Sequence, residues 1–353
     1  MDRALFDRIY RQAKRIVAGL VATAAVLLLI LTIIWRDRAP VDTVELDPAP
    51  DAESELSVTW FGVGTLLIDD GTTQILIDGF ISRPTLMDVL LGRPVENDAA
   101  TINYFLNEYR VRRLAAIIPV HSHFDHAMDV GAIANRSSAS ILGSESTANI
   151  ARGVRVPEDQ IVVVENNADY TFGNFTVRFI ESVHAPVGWR GSVPFPGTID
   201  EPLKMPAPVK AWREGGSYSV VISHPRNTLL VQGSAGIRVG ALDDVEVDTV
   251  LLGVGLLGGL GDDYLRDYWN ATVTATGAST VIPIHFDDYT KPFGTIAFPP
   301  SILDNVPELA ARLRELRDTY DTETRIVLPG FAEPIPLVRP LAGDEAADAD
   351  TTT

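Results

Sequence analysis

The longest apolar run lies near the amino terminus. Ile16 to Trp35 is interrupted only by Thr23 and Thr32. As a helix rising about 1.5 Å per residue, it is long enough to cross a hydrocarbon core of about 30 Å. It has no polar face, as a helix packed on a soluble core would. Cleavable leader peptides carry a shorter apolar stretch of roughly 7–15 residues and a small-residue cleavage site. This run instead ends in Trp35-Arg36-Asp37-Arg38, so an uncleaved transmembrane anchor is expected.

After the anchor the pattern changes to short apolar runs separated by turn residues. Leu56 to Ile68 is apolar and β-rich, Asp69-Asp70-Gly71 gives a turn, and Gln74 to Ile77 returns as a strand. Thr101 to Val111 has helical spacing. Ala115 to Val120 is a continuous apolar run, as in a strand buried on both faces. A helix follows His126, then a strand at Ala139 to Leu142. Two hairpins are expected, turning at Gly173-Asn174 and at His224-Pro225-Arg226-Asn227. Strands are predicted at Asp248–Val254, Thr280–Ile284 and Arg325–Leu328. Helices are predicted at Asp263–Ala275 and at Ser301–Tyr320, the latter with Ser301 as its cap. Hairpins interleaved with helices imply two sheets covered by helices.

Charge orients the anchor. Arg3, Arg8, Arg11, Lys14 and Arg15 precede it, whereas Asp42, Glu45, Asp47 and Asp51 follow the flanking Arg36 and Arg38. The positive-inside rule puts the amino terminus in the cytoplasm and the rest of the chain outside it, in the periplasm if the cell has one. The expected organisation is an arm at 1–15, a span at 16–35, a tether at 36–54, a domain at 55–340 and a disordered acidic tail at 341–353. The net charge of −18 argues against nucleic acid as a partner, because an acidic surface repels phosphate. There is no cysteine, which excludes disulfides, thiolate metal sites and a lipid anchor on an N-terminal cysteine.

Three of the six histidines fall in one run, His121-Ser122-His123-Phe124-Asp125-His126. Imidazole and carboxylate suit zinc and similar divalent ions. The run follows a buried apolar strand, so these side chains can converge at the strand's carboxyl end. His184 and His285 also follow predicted strands, and both are candidate ligands. His224, in a hairpin turn, is expected to be solvated.

The pattern His121-x-His123-x-Asp125-His126, with His184 and His285, resembles the metallo-β-lactamase fold superfamily over roughly 56–340. Trp60-Phe61-Gly62 and Leu76-Ile77-Asp78-Gly79-Phe80 resemble the opening strands of one branch. That branch includes ascorbate-phosphate lactonases and N-acyl-phosphatidylethanolamine phospholipase D type enzymes. The branch usually has Gly-His-Ala/Ser where this chain has Gly62-Val63-Gly64. The resemblance implies an α/β four-layer αββα sandwich with the site at one edge of the two sheets. It assigns His121, His123 and His184 to one metal, Asp125, His126 and His285 to a second, and Asp78 to orienting a ligand histidine.

One position departs from the family. A carboxylate usually bridges the two metals, in a Gly-Asp pair, but here Gly233 is followed by Ser234. Two divalent cations about 3.5–4 Å apart repel by roughly 17–19 kcal/mol at an effective dielectric of ~20, and serine offsets this far less than a bridging anion. Three outcomes follow: a single metal on the three-histidine set, Asp287 or Asp288 as a replacement carboxylate, or poor metal binding without catalysis. The expected activity is hydrolysis of an ester, lactone or phosphodiester by metal-activated hydroxide, with Asp125 orienting it or accepting its proton. The competing reading is a catalytically silent metal-binding or interaction module displayed at the membrane. In the Pro- and aromatic-rich stretch 185–216, Arg190 is a candidate contact for a substrate phosphate or carboxylate. Trp189 and Phe195 point to an apolar or lipid-like substrate.

Overall fold

Residues 3–50, 54–320 and 323–339 are described by a computed structural model of the chain. The expected acidic tail lies outside them. Alternation along the strands divides the interior. On Gln74–Ile77, Ile75 and Ile77 face one core and Leu76 the other, and on Leu114–Ile118 Ala116 and Ile118 are likewise separated from Ile117. These side chains are fully buried, and each large one contributes about 1.5–3 kcal/mol by leaving water.

The first sheet has seven strands, in the order Pro334–Pro336, Ser57–Trp60, Leu66–Asp69, Gln74–Ile77, Leu114–Ile118, Ser140–Gly143 and Ile161–Val163. The second, also of seven, runs Arg325–Ile326, Thr280–Ile284, Thr249–Gly253, Asn227–Gln232, Ser217–His224, Phe175–Ser182 and Asp169–Phe172. Residues of both inner faces share one core, for example Ile75, Ile77 and Ile118 with Val177, Phe179, Val220 and Val231. Helices Ala99–Glu108, Val130–Ser137 and Glu145–Gly153 cover the outside of the first sheet through Ile102, Phe105, Ile133 and Ile150. Asp262–Trp269 and Val306–Tyr320 pack on the second sheet through Leu265, Trp269, Leu309 and Leu313. The result is the expected four-layer αββα sandwich.

Several elements differ from the sequence expectation. The run Leu56–Ile68 is two strands, because Gly62-Val63-Gly64 reverses the chain with Thr65 N donating to Gly62 O at 3.0 Å. The last long helix begins at Val306 rather than Ser301, since Pro299 and Pro300 hold the preceding stretch in a turn and Asn305 meets Glu308 N instead. His224 is buried rather than solvated. The hairpin tip folds onto the turn at 69–72, stacking His224 on Phe175 with ring centroids 4.9 Å apart and bringing Nε2 to 3.5 Å from Asp70 Oδ2.

The amino-terminal helix spans Arg3–Arg36, so the expected arm at 1–15 is helical over its described part. Its segment Asp7–Arg36 is long and apolar enough to cross a membrane, and it is not buried against the rest of the protein. The described part of the expected tether is docked. Val41, Val44 and Leu46 pack against the core of the second sheet and its covering helix Val306–Tyr320, and Asp47 N donates to Ile326 O at 2.8 Å. Burial of this apolar alternation outweighs the chain freedom that Pro- and Asp-rich composition suggested.

Candidate metal centre

Every candidate ligand follows the carboxyl end of a strand. His121 to His126 follow Leu114–Ile118, His184 follows Phe175–Ser182, and His285 follows Thr280–Ile284. Strands that run parallel within each sheet, such as Asn227–Gln232, Thr249–Gly253 and Thr280–Ile284, deliver their ends to the same edge. Six donors scattered over 165 positions of sequence thereby converge.

They form two sets. The donor atoms of His121, His123 and His184 lie within 4.8 Å of one another, as do those of Asp125, His126 and His285. His121 Nε2 is 2.9 Å from His123 Nδ1. His123 Nε2 lies 2.8 Å from Pro194 O and His184 Nδ1 lies 2.8 Å from Ala185 O. Donation to these carbonyls leaves one ring nitrogen of each as a lone-pair donor directed at the cluster. Burial pushes the pKa of His121 well below its ordinary value, with the neighbouring imidazoles adding to the effect. Burial also lowers His123, and lowers His184 to about 4. Neutral imidazole is the form that binds metal. Burial opposes charge on His126, but Asp78 and Asp125 outweigh it and raise its pKa. Burial alone would raise Asp125, yet His126 and His285 hold its carboxyl well below the usual carboxylate range. His121 Nδ1 is buried with no hydrogen-bond partner among the described residues. Packed neutral imidazoles beside an ionised carboxylate make a donor set that fits a divalent cation.

No family model matches the chain. A curated relative, a UPF0173 metal-dependent hydrolase of Heliobacterium modesticaldum, is 27% identical over 277 residues, covering 78% of this chain and 95% of that protein. Among solved structures, an isothiocyanate hydrolase from Delia radicum gut bacteria superposes with a TM-score of 0.50 at 16% identity, over 80% of this chain and 99% of the other. The metallo-beta-lactamase fold protein YhfI from Bacillus subtilis superposes at 0.45 and 13% identity, over 78% and 97% of the two chains. The chain is similar in sequence to metal-dependent hydrolases and shares the fold of the isothiocyanate hydrolase.

Behind the candidate ligands the supporting contacts are dense. Asp78 Oδ2 lies 2.6 Å from His126 Nδ1, and Asp78 Oδ1 accepts from Val120 N at 2.9 Å. A Cβ on Gly64 would lie 2.0 Å from Asp78 Oδ2, so only glycine admits the pair. The Val63 carbonyl accepts from His285 N at 2.9 Å, which fixes that ligand's backbone at φ 62°. The Gly62-Val63-Gly64 turn thus acts as a brace for two candidate ligands.

Ser234 lines the same cavity as His123, His126, His184 and His285. It is buried, and its Oγ has no hydrogen-bond partner among the described residues. Asp287 and Asp288 line the cavity too, but neither belongs to a donor set. Asp287 accepts from Val63 N at 2.7 Å and pairs with the buried Arg83 at 3.4 Å. Asp288 accepts from Thr290 and is paired with Arg38 at 2.7 Å. Both carboxylates are therefore committed to other partners rather than free to replace a bridge.

The cavity has a volume of about 480 Å³. The 185–216 stretch contributes Ala185, Val187, Pro194 and Phe195 to its wall, whereas Trp189 and Arg190 are not part of it. Trp189 is 82% exposed and carries the Arg190 guanidinium over its own ring at 5.7 Å. Gly188 and Ser192 close that tip into a tight turn pointing outward. Sequence reasoning missed the opposite wall, formed by Leu86, Val89, Leu90, Leu303, Asp304 and Trp35. The available signal was Leu86-Met87-Asp88-Val89-Leu90-Leu91, too apolar for a surface loop.

Proposed function

We propose that this metal-dependent hydrolase is anchored by its amino-terminal helix and cleaves an ester, lactone or phosphodiester by addition of activated water. The observation that carries the reading is the pair of intact donor sets, five of whose six residues line a single cavity. Their completeness favours an enzyme over a silent binding module. A bound divalent ion, zinc by the imidazole-rich donor set, would supply the Lewis acid that makes water nucleophilic near neutral pH. His121, His123 and His184 would hold it. Asp125, held ionised, orients the attacking water or takes its proton. The proton then passes to the leaving oxygen as the bond to carbon or phosphorus breaks. The cavity walls keep bulk water away from the reacting atoms. Without a carboxylate at 234, the set Asp125, His126 and His285 would hold a second ion more weakly. The acidic surface disfavours nucleic acid as a substrate, and the positive flank of the helix supports a catalytic domain outside the cytoplasm.

Metal analysis of the full chain in detergent, beside Ser234→Asp, tests this. We expect one ion in the wild type, two in the variant, and hydrolysis of a nitrophenyl ester or bis-nitrophenyl phosphate that stops on chelation. A folded wild-type protein that retains no metal would overturn the proposal.

A further inference from the structure

The helix Leu86–Leu91 is apolar at every position but Asp88, yet none of its residues is buried. It is nevertheless a built element. Thr85 and Asp88 cap its start reciprocally and Gly92 ends it in the left-handed conformation. Met87, Leu90 and Leu91 are 50%, 66% and 58% exposed. Ile302 and Leu303, on the turn at 299–303, are 65% and 50% exposed. Leu86, Val89, Leu90, Pro299, Pro300 and Leu303 also line the catalytic cavity, so the two elements form an apolar rim to its mouth. Clustered exposed side chains of this kind mark an interaction surface rather than ordinary surface.

The position of the rim identifies what it meets. Trp35, at the end of the membrane-length helix, lines the same cavity. Ser301 N donates to Asp37 O at 2.8 Å. Arg38 Nη1 bonds Phe298 O at 2.6 Å and Asp288 at 2.7 Å. The rim is thus pinned to the residues that directly follow the span. A helix that is apolar over one face and lies at the level where a span leaves the bilayer is suited to the headgroup–acyl boundary.

We infer that this rim rests in the same leaflet that the amino-terminal helix crosses, and that the cavity opens into it to take an amphiphile carrying an acyl chain. The polar group of such a substrate reaches the histidines while its chain lies along Leu86, Val89, Leu90 and Leu303. This inference rests on the anchored-hydrolase reading above.

Because the chain has no cysteine, single positions can be labelled in the full-length protein. A fluorophore placed at Met87→Cys, Ile302→Cys or Leu28→Cys is read in phosphatidylcholine vesicles carrying a nitroxide near the carbonyl end of the acyl chain. We expect blue-shifted emission and strong loss of fluorescence at 87 and 302. Quenching at 28, which is independent of the rim, reports the span. Quenching at 28 but not at 87 or 302 overturns the rim while leaving the anchor standing. Quenching at 87 and 302 without 28 removes the anchor and keeps the rim, and quenching nowhere removes both. Met87, Leu91 and Ile302 do not line the cavity. Their combined change to Glu is expected to cut turnover of vesicle-borne nitrophenyl palmitate by about tenfold, the equivalent of ~1.4 kcal/mol, and to leave soluble nitrophenyl acetate unaffected. Equal loss on both esters counts against the inference. If neither ester is cleaved, the ester reading of the hydrolase fails and the quenching result alone decides the rim.

Discussion

Within the cluster, single side chains set the response to acid. His184 has its pKa lowered to about 4, mainly by burial, against an ordinary value near 6.5. The folded chain therefore binds fewer protons than the unfolded one between those values. This contribution to stability is complete above pH ~6.5 and is lost as pH falls through about 4. His121 and His123 shift in the same direction. The chelated protein should melt at a lower temperature at pH 5 than at pH 7. His184→Asn should narrow that gap, and parallel profiles for variant and wild type would show that the group is not responsible. Asp78 acts through His126, which it holds at 2.6 Å. Asp78→Ala should weaken metal binding by about 10–100-fold, the usual effect of losing the partner of a ligating histidine. A competitive chelator titration measures it, with circular dichroism to confirm the fold.

At the scale of elements, the docked segment after the span matters most. Arg38 joins it to Asp288 and to Phe298 O, while Val41, Val44 and Leu46 bury apolar surface. Arg38→Ala should destabilise the domain by about 1.5–3 kcal/mol, the cost of losing a charged hydrogen bond and leaving the buried Asp288 without it. Limited proteolysis should then cut faster within 37–50. An unchanged cleavage rate would mean that the apolar contacts alone hold the segment. The elements themselves were largely legible. Gly173-Asn174 turns the expected hairpin, and Thr280–Ile284 is a strand with the expected bounds. Leu56–Ile68 was read as one run because its turn, Gly62-Val63-Gly64, is apolar at Val63 and its second glycine is required by Asp78, which lies outside the run at the end of the next strand. The start of the helix Val306–Tyr320 was misplaced for a local reason, the Pro299-Pro300 pair ahead of Ser301.

For the molecule as a whole, under the proposed anchoring the orientation of the amino-terminal helix decides which compartment the cavity serves. A cysteine at Thr171, exposed on the edge strand Asp169–Phe172, should react with a membrane-impermeant maleimide on spheroplasts. A cysteine at Asp7 should not, and the opposite pattern would place the domain in the cytoplasm. By itself, the sequence pointed to two sheets covered by helices, six candidate metal donors and the membrane-length helix, and its family resemblance implied the αββα order. Strand periodicity, a dense His/Asp run and a long apolar stretch are all local patterns, so they survive without coordinates. Only the tertiary structure decided the rest. It engaged Asp287 with Arg83 and Asp288 with Arg38, buried His224, docked the expected tether, and turned Trp189 and Arg190 away from the cavity. It also brought Leu86–Leu91, Ile302 and the end of the span to one mouth. Those outcomes depend on which distant charges and apolar faces meet, and no local pattern encodes that. The run His121–His126 therefore identified a candidate metal centre, while the surroundings of Ser234 and the apolar rim depended on how the two sheets close.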